Sequence, residues 1–272
     1  YESDTILKVG QNIKYDLTVL GNYGIKLHAP MFDTMLAHYL VQPELRHNMD
    51  YMAEVYLNYR TIHIDELIGP KGRSQKNMAD LAPIDIRDYA CEDADVTLRL
   101  KQPLEEEMQK NELTRVFYDI EMPLMPVLAK MERNGVVLDT KALAETGNHF
   151  RQRMEQLERE VYELAGHPFL LTSPRQVGEV LFEELKLNEK AKKTKSGQYS
   201  TGEEVLEGLR DKHPIVGKIL AHRALKKLIS TYIDALPKLI NPTTGHIHTS
   251  FNQAVTATGR LSSSNPNLQN IP

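Results

Sequence analysis

The segment 140–165 constrains the fold most, because its apolar residues follow a spacing that suits a long helix packed along another helix. The apolar positions are Leu143, Phe150, Met154, Leu157, Val161 and Leu164, separated by seven, four, three, four and three residues. Steps of three and four place side chains on one face of a helix, and their repetition is typical of an antiparallel coiled-coil seam. Asp139 is placed to cap this helix and Gly166 to end it. A helix from Pro214 to about residue 236 has a matching apolar side and is the expected partner.

Most of the remaining chain also has helical periodicity, at about 12–24, 33–42, 48–58, 84–110 and 113–133. The apolar run Ile6–Val9 predicts a strand, whose sheet partners we expect before Tyr1. Asn12 is expected to cap the first helix, and Thr201 with Glu204 to form a capping box for a short one. The sequence therefore predicts a mainly α fold with a minor β part.

Composition is that of an ordinary globular protein, with 41% hydrophobic and 26% charged residues. No apolar run approaches the ~20 residues that cross a bilayer, so no membrane partner is expected. The single cysteine, Cys91, excludes an intrachain disulfide and a cysteine-based zinc site, and it fits a reducing cytoplasm. The ten histidines show no paired ligand spacing, and we expect most of them at the surface.

The net charge of the chain argues against binding of nucleic acid, whereas its local basic groups argue for it. The formal charge is −4, whereas a protein that held DNA by bulk charge would be basic. Local basic patches do occur: five lysines fall within ten residues, and three bases share one surface of the second long helix. They are Lys186, Lys190, Lys192, Lys193 and Lys195 in the first group, and Arg223, Lys226 and Lys227 in the second. Solvated decoration and phosphate contacts both account for such groups.

Two acidic stretches stand out on predicted helices. Asp16 lies in the first turn of its helix, where the macrodipole alone would favour a carboxylate. Tyr89 and Asp93 are four residues apart, so they share a helix face, which Val96 and Leu100 continue. A carboxylate on a face continued by apolar residues lies either at a solvated rim or in a functional site.

The last stretch, residues 252–272, contains no acid and one base, Arg260, among many Thr, Ser, Asn and Gln residues. Neutral donors and acceptors around one planar cation suit contact with sugar edges, minor-groove base edges and phosphates. A polar terminal loop with a turn at Asn265-Pro266 is the simpler alternative. The string TGRLSSSNPNLQNIP, however, closely resembles the start of the palm in the bacterial DNA polymerase I family (family A).

Two further strings, GQNIKYD and YACED, resemble the second and third motifs of the DEDDy-type 3′–5′ exonuclease domain of that family. Two-metal hydrolysis of a phosphodiester needs carboxylates that converge on two cations. The resemblance implies that Asp93 binds Mg²⁺ directly, that Asp16 holds the second metal partly through water, and that Tyr89 orients the attacking water. It also implies contacts to the 3′-terminal nucleotides from Gln11, Asn12, Tyr15 and Arg46.

The strings ERNGV, KKTKSGQYST and HRALKKLISTY resemble the thumb of the same family, which closes on the duplex minor groove. The resemblance implies a flexible tip at 190–200 that orders on DNA, and it assigns duplex contacts to six residues. Arg223 and Lys227 would contact phosphates, Arg260 the minor groove, and Asn267, Gln269 and Asn270 the template side.

The resemblance divides the chain into three domains. Residues 1–112 would be the C-terminal part of an incomplete ribonuclease-H-like α/β exonuclease domain, 113–240 the linking helix and thumb, and 241–272 the start of the palm with a short β-hairpin. The family's first motif, Asp-x-Glu, is expected before Tyr1 and the polymerase carboxylates after Pro272. We therefore expect a DNA-binding but catalytically incomplete piece of a parent that synthesises and proofreads DNA in replication and repair. Apolar surface should be exposed near residues 1–30.

The expected partners are a primer–template duplex, a single-stranded 3′ end and, in the parent, deoxynucleoside triphosphates. The protein would be monomeric, cytoplasmic and associated with the bacterial nucleoid. A stand-alone DEDDy 3′–5′ exonuclease would also account for Asp16, Tyr89 and Asp93, but not for TGRLSSSNPNLQNIP. A non-catalytic helical DNA-binding module is a third alternative.

Overall fold

The computed structural model describes residues 1–194 and 197–271 and is 56% helical, which confirms the mainly α fold class. The strands are β1 (Lys8–Gly10), β2 (Met31–Asp33), β3 (Ser250–Asn252) and β4 (Ser262–Ser264). The helices are α1 (Ile13–Asn22), α2 (Thr34–Val41), α3 (Met49–Leu57), α4 (Ile64–Ile68), α5 (Pro83–Lys110), α6 (Thr114–Val116), α7 (Met122–Asn134), α8 (Thr140–Ala165), α9 (Pro174–Glu179), α10 (Glu203–Glu207) and α11 (Pro214–Leu228). Single π-helical turns at Phe117–Glu121, Val180–Glu184 and Ile229–Ile233 continue three of these helices, and 3₁₀ turns lie at Met78–Asp80 and Leu236–Leu239.

The chain forms two compact units. The first contains Tyr1–Gly135 and the residues from His248 onward, and the second contains Val136–Ile247. The linking helix, α6 to α7, therefore belongs to the first unit. These limits differ from 112 and 240, and the division into exonuclease, thumb and palm segments stays a prediction.

In the first unit, β1 pairs in parallel with β2, with Lys8 opposite Met31 and Gly10 opposite Asp33. The expectation that β1 would find its partner before Tyr1 is thus wrong for this pair, because the partner strand follows α1. The core of the unit is built on α5, which packs against α2 and α3. Its largest fully buried side chains include Phe32, Leu36, Met52, Leu100, Leu104, Met108 and Phe117.

Asp33, rather than Asn12, caps the first helix. The fully buried Asp33 carboxylate accepts hydrogen bonds from the backbone N–H groups of Asn12 (3.2 Å) and Ile13 (2.7 Å) at the start of α1. It also accepts from those of Met35 (2.9 Å) and Leu36 (3.2 Å) in α2. Asn12 itself has a left-handed backbone and makes no side-chain cap. One carboxylate therefore satisfies the unpaired N–H groups of two helices.

In the second unit, α8 packs along α11 as the apolar spacing predicts. The Asp139 side chain accepts from the N–H of Ala142 (2.9 Å), and Gly166 ends the helix with φ 80°. Leu157 and Val161 of the seam are fully buried, whereas Leu143, Phe150, Met154 and Leu164 are half-buried. The seam is tightest near the C-terminal end of α8.

The predicted capping box of Thr201 and Glu204 is wrong. The residue at the cap position of α10 is Gly202, which has no side chain that could cap the helix. Thr201 is buried instead, and its carbonyl accepts a hydrogen bond from Arg223. The Thr201 hydroxyl also accepts from Arg223 of α11 (3.4 Å), so its partner is a side chain of α11 and not the start of α10.

The predicted hairpin forms between β3 and β4, with Ser250 opposite Ser264. The expected exposed apolar surface near residues 1–30 is also present, formed by Tyr1, Ile6, Leu7, Tyr15, Val19 and Tyr23. In the parts of the chain that are described, no helix has both the length and the apolar character to span a membrane.

Candidate functional site

The first unit contains an open cleft of about 760 Å³ that brings together the acidic residues singled out in the sequence. Asp16 enters it from α1, Asp50 from α3, and Tyr89 and Asp93 from α5. The cleft is also lined by Gly10, Gln11, Ile13, Tyr15, Met49 and Thr97. Residues from three helices and one strand end thus converge on one concave surface, which is the usual setting of a binding or catalytic site.

Local structure explains how Asp16 and Asp93 reach the cleft. Asp16 is the fourth residue of α1, whose start is held by Asp33. Tyr89 and Asp93 lie one turn apart on α5, as their spacing predicts. The next turn of the same face is buried at Val96 and Thr97, so this part of α5 is fixed against the core.

The folded structure disfavours the charged form of the carboxylates in the cleft, so their pKa values are raised. Burial raises the pKa of Asp16 above its ordinary value. Burial also raises the pKa of Asp93; a hydrogen bond from Tyr89 opposes this rise, and the charges of Glu92 and Asp50 add to it. The pKa of the Tyr89 hydroxyl is raised by burial and by Asp93. Such shifts mark carboxylates whose negative charge lacks a counter-ion.

The cleft supplies part of a ligand set for a divalent cation, because Asp16 and Asp93 are carboxylates. Asp93 Oδ1 is buried and accepts no hydrogen bond from any described residue. An unpaired buried carboxylate oxygen is costly unless a cation or water satisfies it. Asp16 and Asp93 are the predicted ligands on this surface. Within residues 1–194 and 197–271, no three His, Cys, Asp or Glu side chains form a group that could hold a metal.

The residues predicted to contact the 3′ end are only partly assembled here. Tyr15 lines the cleft and is 67% exposed, and Gln11 lines it as well. The Gln11 amide is engaged internally, because its Nε2 donates to the His47 carbonyl (2.7 Å) and its Oε1 accepts from the Thr34 hydroxyl. Asn12 and Arg46 line two other cavities. Their contacts to DNA stay predictions.

Two acidic neighbours of the predicted site received no role in the sequence analysis. Asp50 reaches the cleft and interacts with Tyr89 and Asp93. Glu92 accepts from the Tyr59 hydroxyl (2.6 Å) and the Ile62 N–H (2.7 Å), so it fixes the chain at the edge of α5. No spacing marks Asp50, because its place depends on how α3 packs against α5.

The second unit places two of the predicted duplex-binding bases, Arg223 and Lys227, at a cavity of about 710 Å³. Arg223, Lys226 and Lys227 line it, as their shared helix surface predicts. The half-buried Arg223 guanidinium donates to the Thr201 carbonyl, and burial lowers its pKa. Lys193, from the lysine-rich run, lies over the Tyr199 ring at 4.4 Å. Lys195 and part of the predicted tip lie outside the described residues.

The terminal segment is stabilised by its own amides. Gln269 Nε2 donates to the Leu261 carbonyl (3.0 Å), and Gln269 Oε1 accepts from the Ser263 N–H (3.1 Å). The Asn267 side chain accepts from the Gln269 N–H (3.0 Å). Arg260 and Asn270 are exposed at the surface of the same segment. The amide-rich composition thus shapes the loop itself, and only part of it is presented outward.

Comparison with known families matches the two ends of the chain to two different domains. Residues 1–109 match the family model of 3′-5′ exonuclease, and residues 140–272 match that of DNA polymerase family A. The stand-alone exonuclease alternative does not account for the second match.

Individual relatives align with nearly the whole chain. The chain is 48% identical to DNA polymerase I of Pseudomonas aeruginosa over 98% of its length, and 43% identical to that of Synechocystis over 97%. It spans 30% and 27% of those two proteins. The POL domain of Pol1 from M. smegmatis, solved in complex with DNA primer-template and dNTP, superposes on all of the chain with a TM-score of 0.79 and 32% identity, and 44% of that structure is covered. The chain therefore belongs to the family A DNA polymerases and resembles the bacterial DNA polymerase I proteins among them.

Proposed function

We propose that the protein acts as a DNA polymerase I, in template-directed DNA synthesis with 3′–5′ proofreading during replication and repair. The two family matches support this function, since both lie on one chain that aligns over 98% of its length with a DNA polymerase I. In this proposal the first unit contributes to proofreading, and the second unit with the terminal segment contributes to holding the duplex.

One observation carries the proofreading part: Asp16, Tyr89 and Asp93 line one cleft, and a buried oxygen of Asp93 has no hydrogen-bond partner among the described residues. Asp16 and Asp93 would hold Mg²⁺. When bound, the metal would activate water and offset the charge of the scissile phosphate. Tyr89 would hold the Asp93 carboxylate in place and orient the incoming water.

The duplex-holding part rests on the bases of the second unit and on the terminal segment. Arg223 and Lys227 would contact phosphates, and Arg260 the minor groove. Asn267, Gln269 and Asn270 would face the template strand. The M. smegmatis relative is bound to primer-template and dNTP, which supports the same partners here. We further propose a monomer in the cytoplasm, at the nucleoid, that uses deoxynucleoside triphosphates.

Metal binding tests the cleft without depending on turnover. Mn²⁺ binding is measured by calorimetry for the unmodified chain, for Asp93→Asn and for Asp16→Asn. We expect each substitution to weaken binding by at least about tenfold, equivalent to ~1.4 kcal/mol, because each removes a charged ligand. Asp95→Asn is the matched control, since Asp95 lies on the same helix, is 64% exposed and faces Arg99.

The control should bind Mn²⁺ like the unmodified chain. Equal affinity of Asp93→Asn and the unmodified chain would show that the cleft is not a metal site. The effect of Mn²⁺ on the affinity for a 3′-ended single strand, measured in the same variants, links the metal to the nucleic acid.

A further inference from the structure

The turn that joins β1 to α1, residues 10–12, carries residues of the cleft and has an unfavourable backbone conformation. Gly10 and Gln11 line the cleft, and Asp16 lies about one helical turn further along α1. Asn12 has φ 60° and ψ 53°, in the left-handed region that residues other than glycine seldom adopt. Because such a conformation is costly, it persists where the surrounding structure fixes it.

Asp33, at the end of β2, fixes this turn from a fully buried position. Its Oδ2 accepts from the Ile13 N–H (2.7 Å), and its Oδ1 accepts from the Asn12 N–H (3.2 Å). Oδ1 also accepts from Met35 and Leu36 at the start of α2. One oxygen therefore serves both helices, whereas Oδ2 bonds to α1. The residues that line the cleft do not include Asp33, so its carboxylate acts on the cleft through the turn.

Thr34 holds the same turn through its buried side chain. Its hydroxyl lies 3.2 Å from the Gly10 carbonyl and also donates to Gln11 Oε1. Gly10 is in addition the strand partner of Asp33 where β1 pairs with β2. The turn is therefore fixed by strand pairing, by a carboxylate and by a hydroxyl, all of which come from residues 33 and 34.

A metal site makes the position of α1 critical. Oxygen ligands of Mg²⁺ lie about 2.0–2.1 Å from the ion in a nearly octahedral arrangement, so a displacement of about 0.5 Å weakens the site. Asp16 and Asp93 lie on different helices, α1 and α5. Their separation therefore depends on how the start of α1 is held.

We propose that Asp33 is a positioning residue for the candidate metal site: its Oδ2 fixes the start of α1 and thereby the place of Asp16 relative to Asp93. The inference rests on the proposed role of the cleft in proofreading. It assigns to a buried carboxylate outside the cleft a part in metal binding that no spacing in the sequence indicates.

Asp33→Ser tests the inference, because serine is a good N-cap residue that can still serve α2 but lacks the second oxygen, to which Ile13 donates. Mn²⁺ affinity is measured by calorimetry at about pH 7.5, above the pKa of about 6 to which burial raises Asp33. We expect binding to weaken about tenfold, as when a group that orients a metal ligand is lost. Asp33→Asn keeps the shape of the side chain and is the second variant if Asp33→Ser does not fold. It should weaken binding in the same direction, because its NH₂ group cannot accept.

A double-variant cycle separates positioning from a general loss of stability. If Asp33 acts through Asp16, Asp33→Ser should weaken Mn²⁺ binding by less than about twofold in a chain that already carries Asp16→Asn. The control is Met108→Ala, which opens a cavity in the same core near the C-terminal end of α5. It should lower the urea midpoint and leave the Mn²⁺ affinity unchanged.

Unchanged Mn²⁺ affinity in Asp33→Ser and Asp33→Asn would overturn the inference. Independent effects of Asp33→Ser and Asp16→Asn that multiply would also overturn it, as would an equal loss of affinity in Met108→Ala, since Asp33 would then act on stability alone. These outcomes leave the metal site itself intact. If the unmodified chain does not bind Mn²⁺, the proposed metal site fails and this inference fails with it.

Discussion

At the scale of single residues, the buried His38 and the half-buried His47 form a pair that supports the wall of the cleft. His38 is 1% exposed, and its Nδ1 lies 2.8 Å from Nδ1 of His47, so one neutral ring donates and the other accepts. The rings of Tyr51 and Tyr56 pack on His38. The His47 carbonyl in turn holds Gln11. Burial, and then the charge of His47, lowers the pKa of His38 to about 4.

The lowered pKa of His38 predicts that the protein loses stability in acid. Because the pKa of His38 in the folded state lies below that of an unfolded histidine, about 6.5, its contribution to stability is complete above that pH. The contribution is lost as the pH falls through about 4. Between pH 7 and pH 4, denaturant unfolding of the unmodified chain should lose about 2–3 kcal/mol more than His38→Asn, which cannot titrate. His28→Asn, at a surface site beside Asp4, should retain the pH dependence. Parallel pH curves for His38→Asn and the unmodified chain would contradict the assignment.

At the scale of elements, the contact of α8 with the helix that continues α11 depends on one glycine. A Cβ on Gly147 would lie 2.7 Å from Cγ2 of the buried Ile233. An ion pair between Arg151 and Asp234 (2.5 Å) lies beside this contact. The close approach therefore needs a residue without a side chain, a requirement that the apolar spacing of α8 does not reveal.

A pair of identical substitutions tests this contact. Gly147→Ala should destabilise the protein by about 1 kcal/mol, since overpacking costs roughly 1–3 kcal/mol and the gain in helix propensity returns about 1 kcal/mol. Gly217→Ala, inside α11, should stabilise by up to about 1 kcal/mol, because its nearest neighbour is an Arg210 nitrogen at 3.9 Å. Urea unfolding of both variants measures the change in the free energy of unfolding, which should have opposite signs for the two substitutions. Stabilisation by Gly147→Ala would show that the contact is loose.

At the scale of the whole molecule, a largely buried ion pair joins parts of the first unit that are distant in sequence. Lys14 in α1 and Glu132 in α7 are 2.5 Å apart, with side chains 13% and 14% exposed. Glu132 also accepts from the Phe251 N–H (2.6 Å), and Lys14 donates to the Phe251 carbonyl. The ring of His248 contacts the Glu132 carbonyl at 2.7 Å. These bonds fasten β3 to the start and the middle of the chain.

Replacing only one member of the Lys14–Glu132 pair leaves the charge of the other uncompensated in a largely buried position. Lys14→Met or Glu132→Leu alone should cost about 3 kcal/mol or more, and the double variant should cost clearly less than the sum. The measurement is a double-mutant cycle by denaturant unfolding. Arg175→Met removes an exposed i,i+4 pair with Glu179, whose side chains are 71% and 39% exposed, and should change stability far less. A coupling energy near zero between Lys14 and Glu132 would mean that the pair adds no stability.

The sequence by itself determined the helices and the family. The limits of α5 and α8 and the start of α11 at Pro214 follow from apolar spacing and from capping residues such as Asp139 and Gly166, and these are local properties of the chain. The predicted end of α11 near residue 236 is wrong, because α11 ends at Leu228 and a π-helical turn follows. The short motifs around Asp16, Asp93 and Arg260 carried the resemblance that the comparisons confirm. Periodicity reports which face of a helix is apolar, so it needs no knowledge of the rest of the fold.

Only the tertiary structure decided which polar groups meet. Asp33 caps two helices, Asp50 joins the cleft, and Gln11 is held by His47, although none of these pairings follows from local spacing. Each brings together side chains from elements that are distant in sequence. Buried polar groups take whichever partners the packing places within hydrogen-bond distance, and that choice is made by the assembled core rather than by any one segment.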